Sequence, residues 1–558
     1  MATGILELSP FAVNHAGLSL SIVNAIERIV GGIGLPSEAM YGDWTSNLPV
    51  EIGGYEWDGL KVPTFLDDYY YRFHLTPATV EFGYILSPTV ETFYLWNAYF
   101  VSKDCTAINQ INGDEYALSG LTAPFTLSGL EEIMYTVTAP LEGAADFESS
   151  IDFDFGVDDD YVLVTLTGTR IVLFAFCPLQ PMTEYLEWLT DIITAKDGSE
   201  QRISVRRTPR QGYTFSIYMD SHQQQARLDA LLFTWQKKAW GLPIWTDWVV
   251  HTATIAAGAS TITVDTTNAD FRDDGMAVIW KSLTEYEVIR IDTVAAGSLT
   301  LSSNVQSTFT GSKYIIPVRV AQMNTPVERK DAPDGYSMAE FNFVVKNNVL
   351  FDDYTPATTY PFDGMPVLTK ATYAGEGQER VSDGDIVISD YNTGQFLLYS
   401  DSDYNRETQS HIFKNRTKAQ AWDHRMFLHS LIGRLNHVWI PSFKNDMILT
   451  ATIGDSETNF TVENIGLSDN MGLNSLRTHL AFVYPDGTML LRQITGISEV
   501  DDTEEQISIG VALGVEIEVG DVMICFLDKY RLSDDKVDIE WEHMGWNDNE
   551  LEWVRIKQ

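Results

Sequence analysis

The sequence predicts a mainly β, multidomain chain in which one β-rich unit, covered by a helix, is written twice. Three observations predict it. Short segments rich in Val, Ile, Thr, Tyr and Phe, bounded by Gly, Asp and Asn, recur along most of the length; 161–166, 171–176, 261–264, 298–301 and 386–389 are examples. The tetrapeptide Thr252-Ala253-Thr254-Ile255 returns unchanged as Thr450-Ala451-Thr452-Ile453, at an offset of 198, in matching surroundings. And 558 residues that are 44% hydrophobic and 12% aromatic supply several packed cores, which a disordered acidic chain does not.

Residues 1–75 form an N-terminal segment with one helix, expected over about 18–30, where Ile22, Ile26, Ile29 and Val30 fall at helical spacing and Gly31-Gly32 ends it. Residues 76–178 read as an immunoglobulin-like β-sandwich without its disulfide: about 100 residues of short strands, an early Trp96 and turns at 112–114 and 157–160. The repeat then covers 185–348 and 370–558. Each copy runs strands, helix, an Ile/Leu-Pro pair (242–245, 440–443), a long stretch with strand and turn signals, and a return strand. The helices align by their apolar faces at an offset of 200, Leu228, Leu231, Leu232 and Trp235 with Leu428, Leu431, Ile432 and Leu435. Further on, 311–315 matches 520–524, and Glu340-Phe341 matches Glu540-Trp541. The stretches 249–318 and 448–527 read as small β-barrels inserted into host domains, which are α+β units at 179–248 plus 319–360 and at 361–447 plus 528–558.

Lys and Arg number 37 and Asp and Glu 78, a net charge of −41. Such a surface repels phosphate, so direct nucleic-acid binding is not expected. No run of about 18 apolar residues occurs, so no membrane insertion is expected. The N-terminus lacks a basic region and a small-residue cleavage site, and no signal peptide is expected. Cys105, Cys177 and Cys525 are too few and too scattered for a disulfide framework or a zinc site, which fits buried thiols made in a reducing cytoplasm.

No phosphate-binding loop, HExxH, GxSxG, CxxC or EF-hand loop is present, and no catalytic residue, cofactor or metal site is expected. Gly31-Gly32-Ile33-Gly34 follows its helix, where it terminates rather than cradles phosphate. Asp152, Asp154 and Asp158–Asp160 could offer oxygens to calcium; outward alternation and a solvated turn explain them as well. His424, His429 and His437 share no clean helix face and lack a carboxylate or Cys at ligand spacing, so they are expected at a surface or an interface. Arg202, Arg206, Arg207 and Arg210 stand out in so acidic a chain. They either pair with carboxylates of a neighbouring subunit or form an exposed strand face balanced by Glu200.

The segments 184–191 (EYLEWLTD), 197–202 (DGSEQR) and 206–210 (RRTPR), the helix to Trp235 and 242–245 (LPIW) resemble, in this order, minor tail proteins of long-tailed, non-contractile bacteriophages, those of the distal tail or baseplate. In the second copy, Gly433-Arg434 before Trp439-Ile440-Pro441 fits the same order. The stretch 67–97, with DDYYYR and LWNAY, resembles the start of the immunoglobulin-like module of such proteins, similar to the sandwich family of cilium, centrosome and phage virion proteins. The resemblance implies a structural role at the tail tip of a virion, assembled in the bacterial host cytoplasm. It implies a ring of copies of this chain joining the tail tube to hub and fibres, with tail tube, tape measure, hub and fibre proteins as partners. A host-glycan-binding adhesin or tail-fibre-like receptor-binding protein is the alternative, and a glycan-degrading virion enzyme the third reading.

Overall fold

Strand segments that alternate apolar with polar residues build sheets with one buried face, and most of this chain does so. The computed structural model describes residues 50–52, 55–57 and 69–557, apart from short interior gaps at 87, 141–142, 145, 157–161, 333–334, 352–353, 357–358, 362, 372–378, 385, 401–404 and 472–476. The helix expected over 18–30 and the Asp158–Asp160 turn lie outside the described residues. The fold is mainly β and multidomain. It divides into two compact units, one ending at Ile171 and one beginning at Val172.

In the first unit, strands β1 (Phe73–Thr76), β2 (Thr79–Ile85), β3 (Thr89–Asn97), β4 (Ala107–Ile111), β5 (Ala117–Ser119), β6 (Glu132–Ala139), β7 (Asp146–Asp154) and β8 (Val162–Arg170) form two four-stranded sheets, in orders β1-β3-β6-β5 and β2-β8-β7-β4. Phe93, Leu95, Tyr135, Ile151, Phe153 and Val164 fill one core between them. Trp96 is not part of that core. Its alternation places it outward, where its ring lies 5.2 Å from His74 and 5.4 Å from Tyr69. Asp152 and Asp154 point away from the core on alternate positions of β7.

The second unit opens with a long hairpin, β9 (Met182–Thr194) and β10 (Glu200–Met219), followed by α1 (His222–Trp235) and β11 (Trp240–Pro243). Strands β12 (Thr261–Thr263), β13 (Met276–Trp280), β14 (Tyr286–Ala295) and β15 (Ser298–Leu301) enclose an apolar core of their own, which includes Ile262, Ile279, Ile291 and Leu299. The chain returns through β16 (Lys313–Met323), β17 (Glu328–Asp331) and β18 (Ser337–Val345). The second half runs β19 (Arg380–Asp383), β20 (Ile386–Asp390), β21 (Phe396–Ser400), β22 (Arg406–Asn415), α2 (Lys418–Leu431) and β23 (Val438–Pro441). It continues through β24 (Asn459–Glu463), β25 (His479–Val483), β26 (Met489–Glu499), β27 (Glu504–Ile509), β28 (Met523–Leu532), β29 (Lys536–His543) and β30 (Trp546–Arg555).

The two halves pair their strands in the same order. β11 pairs with β16 as β23 does with β28, and β10 with β18 as β22 does with β30. In the inserts, β12–β15, β13–β14 and β13–β16 correspond to β24–β27, β25–β26 and β25–β28. Pro243 and Pro441 close equivalent strands at the offset of 198.

Two alignments read from sequence change. The helix caps set an offset of 196, not 200. Ser221 and Thr417 each accept a hydrogen bond from the amide three residues on, at Gln224 and Gln420. Those glutamines accept in return from the Asp220 and Arg416 amides, one residue before the cap, so both helices start with the same reciprocal pattern, a variant of the capping box. Glu340-Phe341 lies in β18, whose counterpart by pairing is β30 and not the strand β29 that holds Glu540-Trp541.

The halves are joined through β9, which pairs with β29 from Met182↔Trp541 to Glu187↔Lys536. One apolar core spans them, with Trp188, Tyr213 and Trp240 from the first half and Phe427, Trp541 and Trp553 from the second.

Candidate subunit interface

The joint between the halves rests on a buried ion cluster. Glu184 in β9 is fully buried, and Arg425 in α2 and Asp247 are each 2% exposed. Arg425 Nη2 donates to Glu184 Oε2 at 2.8 Å, and its Nη1 donates to both Asp247 oxygens at 3.0 and 3.1 Å. Glu184 also accepts from Gln211 Nε2 at 2.7 Å and Trp541 Nε1 at 3.0 Å. Burial alone would depress the Arg425 guanidinium; the Asp247 and Glu184 carboxylates overcome this and hold its pKa well above the ordinary value. Burial and the neighbouring Glu184 charge push the Tyr213 phenol up.

Each half carries a second ion pair built on a buried charge of one strand, with the charges exchanged. Arg319 in β16 pairs with Asp270 at 2.6 Å, and Asp528 in β28 pairs with Arg477 at 3.1 Å. The strand partners Leu242↔Arg319 and Ile440↔Asp528 place Arg319 and Asp528 at equivalent positions. Burial raises Asp528 to about 6 against the lowering pull of Arg477 and Arg555. At Asp270 the burial effect is outweighed by Arg319 and Arg272, and the carboxyl lies below its usual range.

The histidines expected at a surface or interface divide. His424 and His429 are 5% and 3% exposed, inside the fold. His424 Nε2 lies 3.0 Å from Asn549 Oδ1, and His429 stands edge-on to Trp188 at the joint between the halves. Burial lowers them to about 4 and about 3, with Arg425 adding to the effect at His429. His437 lies nearer the surface, 3.0 Å from Asp363. Of the three cysteines expected to be buried, Cys105 and Cys525 are, and burial pushes both thiols up to about 11, whereas Cys177 is exposed.

Outside this joint, two hairpins carry exposed apolar side chains. Alternation along β10 splits the arginine run. Arg202 and Arg206 turn to the partly buried face, while Arg207 and Arg210 are exposed. Arg206 Nη2 donates to the Glu187 and Trp188 carbonyls at 2.8 and 3.0 Å. Burial, and then the Arg531 charge, lower the Arg202 pKa against the pull of Glu200. Glu200 itself pairs with Arg531, accepting at 2.8 and 2.9 Å. On the exposed face, Leu189, Ile193, Ile203 and Val205 are each roughly half exposed.

The second hairpin, β20–β21, pairs only within itself among the described residues. It turns through Asn392 and Gly394, both at positive φ. Cross-strand pairs Ile388↔Leu398 and Asp390↔Phe396 define one face, and Val387↔Tyr399 and Ser389↔Leu397 the other. Eight large apolar side chains on this arm are between 37% and 79% exposed. A two-stranded hairpin is marginal in water by itself, and such an arm gains order when a partner covers it. The arm had a sequence signal, the runs 386–388 and 396–399, but strand alternation alone does not say which strands stay uncovered.

No family model matches the chain, and no curated protein matches it. Among solved structures, the E. coli chaperone DraB aligns at 11% identity over 26% of this chain and 90% of that one, with a TM-score of 0.14. Tripeptidyl peptidase 2 aligns at 5% identity over 87% and 37%, with a TM-score of 0.19. The BSP domain of a biofilm-associated protein aligns at 8% identity over 88% and 96%, with a TM-score of 0.10. Among the described residues, no group of three or more His, Cys, Asp or Glu is placed to hold a metal ion, and no helix is long and apolar enough to cross a membrane.

Proposed function

We propose that the chain is a structural subunit of a phage tail tip or baseplate, assembling with copies of itself into a ring that joins the tail tube to the hub and fibres. The observation that carries this reading is the pair of hairpins, which leave apolar side chains exposed on the one that carries Arg207 and Arg210 and on both sides of the other. A monomer in water leaves patches of this kind uncovered at a cost in solubility, and an assembly subunit covers them. The order of motifs along the sequence supports the tail-tip assignment, and the repeated strand order supports a duplicated unit with quasi-equivalent contact surfaces. The inserts with their own cores hang from the host sheets, where they reach neighbours in the particle.

Labelling intact particles with an antibody against this chain, followed by electron microscopy, tests the reading. Label at the distal tail end is the expected result. Label on the capsid, or particles without the chain, overturns it.

A further inference from the structure

The offset of 196 that the caps establish also aligns the two hairpins. It sets β9 and β10 against β19 to β22, and the turn glycine Gly198 against Gly394, both at positive φ. Thr190, Ile192, Glu200 and Arg202 in the first hairpin thus correspond to Ile386, Ile388, Phe396 and Leu398 in the arm.

In the first half, the second half of the same chain covers this face. Arg531 pairs with Glu200 at 2.8 Å, Arg434 Nη2 donates to the Thr190 carbonyl at 2.7 Å, and the Thr190 amide donates to Asp535 at 2.7 Å. His429 packs on Trp188 at the base of that hairpin. In the arm, the corresponding face is bare: Ile386, Ile388, Phe396 and Leu398 are 53% to 64% exposed.

The first half carries the counterparts of those covering residues, and Phe233 and Lys238 among them are exposed. Position 233 matches His429 at 196, and Phe233 is 93% exposed at the end of α1. The strand partners Trp240↔Ala321 and Val438↔Tyr530 set Gln322 against Arg531. Lys238 matches Arg434 at 196, and it and Lys237 are exposed. The charges are complementary, since Asp390 lies on the arm's bare face and residues 386–400 contain neither Lys nor Arg.

We propose that the β20–β21 arm of one copy docks on the α1 end of a second copy, over Phe233, Gln322 and the Lys237-Lys238 pair. The contact repeats between chains the cover that the second half gives the first hairpin within the chain. It is heterologous, head to tail, and closes into a ring when its rotation closes. The four apolar side chains of the docking face present on the order of 500 Å², the larger part of the roughly 800 Å² that one partner of a standard interface buries, and polar neighbours supply the rest. This deepens the ring-subunit reading and rests on it.

The test uses the full chain with Cys177→Ser, the two other cysteines being buried. Mass photometry across a concentration series compares it with Phe396→Ser/Leu398→Ser and with Phe233→Ser, and circular dichroism checks each fold. Each variant is expected to weaken self-association by roughly 30-fold or more, as loss of a central interface anchor does. Separately, Phe233→Cys protein and Leu398→Cys protein are mixed and treated with a short bismaleimide. A cross-linked dimer is expected from the mixture and from neither protein alone. If the parent chain self-associates while the folded variants do so equally well and the mixture gives no dimer, the docking contact is overturned and the ring reading stands. If the parent chain stays monomeric and the mixture gives no dimer, both the contact and the ring of copies fall. Particle labelling answers for the tail-tip location independently.

Discussion

Replacing Arg425 with Leu removes the cation that holds two buried carboxylates across the joint. Glu184 is fully buried and Asp247 2% exposed, so neither gains water when the guanidinium leaves. Arg425 donates to Glu184, to both Asp247 oxygens and to Thr246 Oγ1 at 3.2 Å. Glu184 keeps Gln211 and Trp541, and Asp247 keeps the Asp270 amide at 3.0 Å, so each carboxylate retains part of its hydrogen bonding. Breaking a buried pair from one side costs about 3–5 kcal/mol, and with these residual partners about 4 kcal/mol is expected for Arg425→Leu. Removing all the charges together is different. Arg425→Leu/Glu184→Gln/Asp247→Asn leaves no uncompensated ion and regains most of the loss. Urea unfolding followed by tryptophan fluorescence reads both, since Trp188, Trp541 and Trp553 sit in the shared core. A loss below about 1 kcal/mol, or a triple variant no better than the single one, refutes the claim that this cluster ties the halves together.

Three further outcomes follow from the same geometry. His424 and His429, lowered to about 4 and about 3, stay neutral in the fold while the unfolded chain takes up protons below about 6.5; acidification to pH 5 therefore costs about 2 kcal/mol at each, and His424→Gln/His429→Phe flattens that slope in pH-dependent urea unfolding. Gly433 has φ +63°, and a Cβ there would lie 2.8 Å from Trp188 Cβ, so Gly433→Ala is expected to lower stability by more than about 2 kcal/mol in the same assay. Arg207→Glu/Arg210→Glu is expected to weaken self-association by mass photometry while changing stability by less than about 0.5 kcal/mol, because both side chains are exposed.

Fold class was legible because alternation reports a half-buried strand directly. Register was legible only where a singular residue marked it. The Pro243 and Pro441 strands align at 198, since a proline ending a strand cannot slide. The helices were set four residues off because a shift of four turns an apolar face by only about 40°, so the stripe matches nearly as well; Ser221 and Thr417 occupy one backbone position each and fix the frame. Glu340-Phe341 and Glu540-Trp541 look alike because a strand with one buried face repeats such a pair every second residue. The arginine run was visible as composition, but which arginines face outward follows from strand phase. The burial of His424 and His429 depends on Asn549 and Trp188, far away in sequence, and no local signal carries it.

The exchanged pairs explain how two halves with the same strand order keep separate identities. Arg319 and Asp528 occupy one position in the two halves, and their partners Asp270 and Arg477 are reversed to match. If the insert of one half closed on the host strand of the other, Asp270 would lose Arg319 and Arg477 would lose Asp528, and neither ion pair would form. A mispairing of that kind is costly, whereas each correct pairing satisfies its ions. The same logic bears on assembly. The first hairpin meets the second half through ions, Glu200 with Arg531, while the arm presents Phe396 at the matching position. Contacts within the chain and contacts between chains thus differ in chemistry although they share geometry. The arm's apolar face has no counterpart for Arg531 to pair with, and Phe233 rather than His429 stands ready to receive it, so the second half is a poor host for the arm and the first half of another copy a good one.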